Sequence, residues 1–250
     1  MASRLLLGTM GWDYSFWSGV FYPKRFPVEQ RLGFYATRFS TVEIDSTFYN
    51  FPLPEAVAHW VERTPKDFKF SLKMPARITH LRRLKDCQDD LHRFCDLIRP
   101  LGRRLGPVCI QLHPNFLATK RPDLERFLTW LPPRMRFAIE FRHPSWEDPA
   151  IHRLLRAHKV AWVNTDRHRG FVRTAKFGYV RLRGDRKLIT RFDRLQVDRS
   201  EEIAKWASTI KEERHRFGDF YIYASKYFEG YSPGTVERLE DALGSSPGRR

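Results

Sequence analysis

Charged side chains occur in pairs at the ends of several short apolar runs. In each pair one residue separates the two charges: Glu43 with Asp45, Glu140 with Arg142, and Arg181 with Arg183. Residues two apart in a β-strand project to the same face, and a charge that faces the interior is costly unless it is paired or solvated. The pairs therefore predict a polar pocket built at the ends of several strands. Salt bridges that close one end of the fold without any chemistry are the alternative.

The acidic residues at these ends could carry out acid–base chemistry. Carboxylates that reach a substrate act as general acids or bases, and the candidates are Glu43, Asp45, Glu140 and Asp166. Carboxylate and imidazole groups could also hold a divalent metal ion that activates water. For such a metal ion the candidate ligands are Glu43, His113, Glu140 and Asp166, with His80 as a further imidazole.

Basic and aromatic residues at the same ends predict substrate binding. The cations suit an anion such as phosphate, and they are Lys73, Arg142, Arg181, Arg183 and Lys226. Aromatic rings could stack on a base or sugar, although a core position is the alternative for each of Trp12, Tyr14, Phe48, Tyr49 and Trp146. His80 and Gln111 complete the predicted substrate-binding set.

These residues follow eight short apolar or β-branched runs that mostly alternate with segments of helical spacing. The runs are Leu5–Thr9, Ser40–Asp45, Phe68–Lys73, Pro107–Leu112, Arg136–Phe141, Ala161–Asp166, Gly178–Arg183 and Phe220–Ser225. Strands that alternate with helices indicate βα units and a parallel sheet. The pattern predicts an α/β fold, a single TIM-type (β/α)₈ barrel with parallel strands. In this fold the active site lies at the C-terminal ends of the strands, called the mouth below.

Three segments between and after the runs have their own predictions. The basic insert Pro75–Lys85 follows the third run and is expected to lie over the mouth. The stretch Arg167–Phe177 is short and rich in Arg and Gly, so a loop is expected there. Residues 1–243 are predicted to form one domain, and 244–250 a disordered basic tail.

Composition limits the classes of function. The chain has 250 residues, and its 45 Lys and Arg against 29 Asp and Glu give a net charge of +16. Such a charge attracts polyanions, although a basic surface without a polyanionic partner is the alternative. The three cysteines form no CxxC pair, which argues against a disulfide framework or a cysteine zinc site.

Targeting segments and the common catalytic motifs are absent from the sequence. The apolar run near the N-terminus is too short for a signal peptide, and no stretch approaches a membrane span. We therefore expect a cytoplasmic protein without a membrane partner. The sequence also lacks a Walker loop, GxGxxG, GxSxG and HExxH.

The chain resembles the YecE-like proteins, domain of unknown function 72 (DUF72), from about Leu5 to Leu243. Separated motifs agree in order with that family: GTMGWDYSFWSGVFYP (8–23), TVEIDSTFYNFP (41–52), FKFSLKMPARITH (68–80), LGPVCIQLHPNF (105–116), AIEFRHPSW (138–146), YVRLRG (179–184) and EGYSP (229–233). The resemblance implies a TIM-type barrel. It implies no defined activity, and a likeness of this fold to metal-dependent endonucleases is an analogy, since fold does not fix function.

The sequence departs from the family pattern at the strand ends. Asp45 stands where the family usually has Asn, His113 where it has Pro, and Arg183 where it has His; Ser225–Lys226 replaces a paired Asn. If those His and Asn residues serve a metal or a proton transfer in relatives, this chain has altered that step. The added positive charge strengthens anion binding instead.

Three hypotheses for function remain open from the sequence. The leading one is a nucleic-acid-acting enzyme, a nuclease-like and metal-dependent phosphodiester hydrolase that acts on DNA or RNA. The second is a small-molecule barrel enzyme with a phosphorylated or otherwise anionic substrate, which a narrow pocket would favour over an extended groove. The third is a non-catalytic protein that binds nucleic acid or another partner. The sequence does not define the oligomeric state.

Overall fold

Eight parallel strands form a nearly closed barrel in the computed structural model, which describes residues 3–167 and 170–244. The strands are β1 (Arg4–Thr9), β2 (Thr41–Ile44), β3 (Lys69–Lys73), β4 (Leu105–Gln111), β5 (Phe137–Glu140), β6 (Ala161–Thr165), β7 (Phe177–Leu182) and β8 (Asp219–Ala224). Neighbours pair in the order β1-β8-β7-β6-β5-β4-β3-β2. The predicted TIM-type (β/α)₈ class is confirmed.

The last seam of the barrel, between β1 and β2, depends on a glycine. A parallel bridge joins Met10 to Glu43, and the Gly11 N–H donates to the Glu43 carbonyl at 2.8 Å. At Gly8 a Cβ atom would lie 2.0 Å from the carbonyl oxygen of Thr41. The two strands approach this closely because position 8 has no side chain.

Helices cover the outside of the strands. They are α1 (Arg31–Arg38), α2 (Pro54–Glu62), α3 (Gln88–Ile98), α4 (Arg121–Thr129), α5 (Pro149–Ala157), α6 (Ser200–Glu213), α7 (Lys226–Glu229) and α8 (Ser232–Leu243). Proline at the first or second position favours the starts of α2, α5 and α8. No helix in residues 3–167 and 170–244 is long and apolar enough to cross a bilayer.

The amphipathic pattern of the sequence decides which residues face the strands. In α3 the apolar residues Leu91, Phe94, Cys95 and Ile98 are all buried, as helical spacing predicts. All three cysteines are buried and unpaired, so they pack in the interior and form no disulfide.

The connection between β6 and β7 contains no helix in its described residues, 166–167 and 170–176, as predicted. Side chains of β6 and the loop replace helical packing. The Asn164 amide bonds to the backbone N–H and carbonyl of Val172 at 2.8 and 3.0 Å. Thr174 accepts from the Trp162 N–H at 2.7 Å. Residues 245–250 of the predicted tail, like 168 and 169, lie outside the described residues.

The barrel interior is lined by alternate residues of the strands. An inner cluster contains the rings of Phe177, Tyr179, Tyr221 and Tyr223, and a larger apolar cluster lies between the strands and the helices. The Tyr223 hydroxyl bonds to Thr41 Oγ1 and Ser71 Oγ at 2.7 and 2.8 Å. Above this layer, toward the mouth, the charged residues Glu43, Glu140 and Arg181 point inward.

Candidate functional site

Arg181 lies at the centre of the mouth, buried below its surface. Its Nη2 donates to Glu43 Oε1 at 2.7 Å, and its Nη1 donates to Glu140 Oε2. Because β2, β5 and β7 each turn alternate residues inward, three residues distant in sequence meet at one point. The guanidinium occupies the space between the two carboxylates.

Glu140 is held as an anion. Besides Arg181, Arg183 Nη1 donates to its Oε1 at 2.6 Å, and Gln111 Nε2 lies 3.0 Å from both of its oxygens. Burial alone would raise the pKa of this carboxyl, but Arg181, Arg183 and the hydrogen bonds outweigh burial and lower its pKa to about 2. Gln111 is therefore a partner of a buried carboxylate.

Glu43 is buried in the same network with the opposite shift. Tyr179 donates its hydroxyl to Glu43 Oε2 at 2.5 Å, and Arg181 occupies Oε1. Burial raises the pKa of Glu43 despite the nearby Arg181. Glu43 and Glu140 are both 0% exposed, and this geometry does not fit their predicted contact with substrate as general acids or bases.

The candidate metal ligands are not brought together. Arg181 separates the two buried glutamates, and Asp166 accepts the backbone N–H groups of Arg183 and Gly184 at 2.7 and 2.8 Å. His113 Nδ1 accepts the Asn115 N–H at 3.0 Å. Among residues 3–167 and 170–244, no three His, Cys, Asp or Glu side chains are placed to hold a metal ion. This arrangement does not fit the candidate metal ligands acting together, and Asp166 instead fixes the chain that follows β7.

Asp45 is the predicted carboxylate that faces the mouth, with 35% of its side chain exposed. Its Oδ1 lies 3.7 Å from Lys73 Nζ and 3.5 Å from Arg181 Nη2. Both atoms are within ion-pair distance, yet Oδ1 makes no hydrogen bond with the described residues. Asp45 thus combines access to solvent with a buried oxygen that has no hydrogen-bond donor.

Lys73 is the cation that faces Asp45. Its Nζ lies 4.1 Å from the centre of the Phe48 ring, a distance typical of cation–π attraction. Burial lowers the pKa of Lys73, and Asp45 opposes that shift. Burial and the nearby cations also lower the pKa of His80 to about 4, so its imidazole is neutral at pH 7.

The insert brings His80 to the mouth, as predicted. His80 lies on a short π-helical turn, Arg77–Leu81. Its ring is 4.8 Å from Phe48 and 5.3 Å from His113. These neighbours follow β2 and β4, so the insert covers that side of the mouth.

Three arginines line a pocket of about 440 Å³ beside this centre. We call Arg142, Arg167 and Arg183 the arginine pocket; its other lining residues are Pro114, Phe141, Pro144 and Glu147. Arg142 forms no ion pair or hydrogen bond with any described residue. Burial lowers the pKa of Arg142 and of Arg183, and neighbouring arginines lower both further. The pocket therefore has an excess of positive charge.

Lys226 lies above β8 among aromatic rings. The lysine cage consists of Lys226 and four rings whose centres lie 4.7 to 5.6 Å from its Nζ: Tyr14, Phe16, Phe192 and Tyr227. Burial lowers the pKa of Lys226, and Asp45 opposes the shift. Tyr14 is thus at the mouth, where it contacts a cation of the protein.

The remaining predicted aromatic residues differ in position. Tyr49 is 76% exposed at the rim and stays a stacking candidate. Trp12 packs edge-on to Trp60, with ring centres 6.2 Å apart. Trp146 is 0% exposed and donates from Nε1 to the Phe116 carbonyl at 2.6 Å. Enclosure of the ring by Phe116 and its neighbours does not fit the predicted substrate contact of Trp146.

Sequence reasoning missed parts of both cationic sites. For Arg167 the sequence shows only that it follows the end of the sixth predicted strand. Phe16 and Phe192 lie in connections that carry no periodic signal, and the sequence holds no local mark of their approach to Lys226.

Comparison with known proteins gives one family. A family model described as "Protein of unknown function DUF72" matches residues 6–249. The UPF0759 protein YecE of Escherichia coli O157:H7 is 36% identical over 137 residues, which cover 53% of this chain and 50% of that protein. The UPF0759 protein YunF of Bacillus subtilis (strain 168) is 26% identical over 158 residues, 59% of this chain and 54% of that one. The matched part thus spans about half the length of these relatives.

Solved structures of the same family are similar to this barrel. A DUF72 family protein from Thermotoga maritima has a TM-score of 0.83 and 25% identity, over 96% of this chain and 99% of that one. Another, from Enterococcus faecalis, has a TM-score of 0.79 and 18% identity, over 99% of each chain. The second likeness concerns the fold alone.

Proposed function

The chain belongs to the DUF72 family, whose description assigns no activity, and from the geometry of its mouth we propose that it is an enzyme acting on a small anionic substrate. The arginine pocket holds a phosphate or similar group of the substrate, and Asp45 transfers a proton at the reacting centre. The observation that carries this proposal is the excess of positive charge around Arg142 in the arginine pocket, at the same mouth as the partly exposed carboxylate of Asp45.

The charge balance supports an anion in the arginine pocket. Glu140 is shared between Arg181 and Arg183, and Glu147 in the lining adds one further negative charge, so the three arginines of the pocket are only partly neutralised. An anion would form charge-assisted hydrogen bonds, and the planar guanidinium suits phosphate and carboxylate. A pocket of about 440 Å³ also suits a small ligand.

The position of Asp45 supports proton transfer. A candidate acid or base must come within hydrogen-bond reach of the reacting atom, and of the four predicted carboxylates Glu43 and Glu140 are enclosed and Asp166 is engaged by backbone N–H groups. Asp45 remains exposed, with Lys73 beside it to stabilise negative charge on the substrate. Glu43 and Glu140 then act indirectly, because they orient Arg181.

Calorimetric titration with inorganic phosphate tests the anion site. Replacing Arg142 with Gln should weaken phosphate binding roughly tenfold or more, since it removes charge-assisted hydrogen bonds. Arg153→Gln is the matched control, because Arg153 is exposed on α5 and the substitution removes the same charge away from the mouth. Equal effects of the two variants would show that phosphate senses only the net charge.

Turnover tests the role of Asp45. A panel of sugar phosphates and phosphorylated acids is incubated with the protein and followed by nuclear magnetic resonance. Asp45→Asn should abolish any turnover found while phosphate affinity stays within about threefold. Turnover that survives in the Asn variant would remove Asp45 from the chemistry.

A nucleic-acid phosphodiester hydrolase is the second candidate, and the net charge of +16 favours it. Its affinity for DNA or RNA would fall steeply with salt, because phosphate contacts release counterions. Binding that is absent at low salt, or that does not change with salt, would argue against it. A non-catalytic binding protein would show such binding without turnover. The cytoplasmic location stays a prediction.

A further inference from the structure

The ammonium of Lys226 has no polar partner among the described residues. It forms no ion pair or hydrogen bond within residues 3–167 and 170–244, and the residue is partly buried. The faces of the four rings in the lysine cage attract the positive charge, but they do not replace an oxygen acceptor for its three N–H groups. A partly buried ammonium without a protein acceptor offers its N–H groups to solvent or to a ligand in the mouth.

The lysine cage and the arginine pocket lie on opposite sides of the mouth. Lys226 and Tyr227 follow β8, Tyr14 and Phe16 follow β1, and Phe192 lies in the connection after β7. The arginine pocket is built from residues after β4, β5 and β6 and at the end of β7. In the ring of eight strands, β8 and β1 stand four places from β4 and β5, so the mouth separates most of the two linings.

We propose that Lys226 is the second of two anion-binding positions, so that the substrate carries an anionic group at each end and spans the mouth. This inference rests on the proposed function, because it places the first group in the arginine pocket. Asp45 then lies near the middle of the substrate, beside Arg181, which belongs to the central network. The aromatic rings hold the Lys226 ammonium in place and leave its donors for the ligand.

Arg186 extends this arrangement along the rim. Its guanidinium lies 5.0 Å from the centre of the Tyr227 ring, which is part of the lysine cage. Its positive charge lowers the pKa of both Arg142 and Lys226, so it lies within electrostatic range of both cationic positions. A substrate with two anionic groups would neutralise the positive charges of Arg142, Arg186 and Lys226 more fully than a single phosphate.

Phosphate and carboxylate groups both accept hydrogen bonds from an ammonium group. Ligands with one or two phosphates therefore test the arginine pocket and Lys226 separately. The probes are inorganic phosphate, fructose monophosphate, and fructose bisphosphate with its phosphates at opposite ends of the sugar. Citrate is added as a polycarboxylate. Each is titrated calorimetrically into the full-length chain, into Lys226→Met, and into the control Lys187→Met, whose lysine is exposed in the neighbouring loop. Lys226→Met keeps most of the aliphatic stem against the rings.

We expect the wild-type chain and Lys187→Met to bind the bisphosphate at least tenfold more tightly than the monophosphate. Lys226→Met should lose that difference and keep its affinity for inorganic phosphate. Tight citrate binding that also depends on Lys226 identifies carboxylate ends, which supports the same two positions.

Three outcomes would overturn the inference. The bisphosphate advantage could be absent in the wild-type chain, or it could persist in Lys226→Met. Inorganic phosphate binding could also be lost in Lys226→Met, which would merge the two positions into one. Failure of the proposed function is separate, because then no phosphate compound would respond to Arg142→Gln. Thermal unfolding of each variant verifies that it is folded.

Discussion

Replacing Glu140 with Gln should strongly destabilise the barrel. Glu140 is 0% exposed and accepts hydrogen bonds from Arg181, Arg183 and Gln111. Gln keeps the shape but removes the negative charge. Arg181 would retain Glu43 as a partner, whereas Arg183 would lose its only ion pair among the described residues.

Two independent arguments give the size of the stability loss in Glu140→Gln. Breaking a buried ion pair by removing one partner costs about 3–5 kcal/mol. The pKa of Glu140 is about 2, against an ordinary value of 4.5, and that difference corresponds to about 3 kcal/mol of folding free energy. At roughly 2–4 °C per kcal/mol for a chain of this size, the Tm should fall by about 6–20 °C.

The pH dependence distinguishes this cause from a packing defect. Because the folded-state pKa is lowered, the stabilisation by Glu140 is complete above the unfolded pKa of 4.5 and is lost as pH falls toward about 2. The gap in unfolding free energy between wild type and Glu140→Gln should therefore be full at pH 7 and narrow as pH falls from 4.5 toward 2.

Urea unfolding followed by circular dichroism at several pH values measures that gap. Glu147→Gln is the matched control, since Glu147 is exposed in the arginine pocket, and it should change stability by less than about 0.5 kcal/mol. A gap below about 1 kcal/mol at pH 7, or one that stays constant down to acid pH, would refute the electrostatic account of Glu140.

Two further substitutions test the packing. Gly8→Ala should lower the free energy of unfolding by about 1–3 kcal/mol or more, because the new methyl group meets the Thr41 carbonyl. Gly218→Ala, where a Cβ has open space, is the comparison in the same thermal melt, and equal stability of the two would contradict the close approach of β1 to β2. Trp146→Ala should cost about 3–5 kcal/mol and leave phosphate affinity in the folded protein unchanged. A selective loss of phosphate affinity at full stability would restore Trp146 as a ligand contact.

The strand ends were the most informative part of the sequence. The alternation of residues in a strand is a local property, so the inward direction of Glu43, Glu140 and Arg181 followed from spacing alone, as did the eight strands and the barrel. The insert was also expected over the mouth, and it brings His80 there. Each of these features depends on residues close together in the chain.

The partners of those residues depended on the tertiary structure. Arg181 and Glu43 are 138 positions apart, and their pairing puts a predicted catalytic carboxylate and a predicted substrate-binding arginine into one buried network. Asp166 has an acidic side chain like Asp45, but it binds backbone N–H groups of the chain after β7. Trp146 is enclosed by a residue 30 positions away.

The same reason explains which groups face the mouth. The sequence determined that carboxylates and cations gather at one end of a barrel. Only the packing decided that Asp45 and Lys226 remain accessible while Glu43 and Glu140 do not. Burial and charge pairing are sums over neighbours that distant segments supply, and such sums exist only once the chain has closed its barrel.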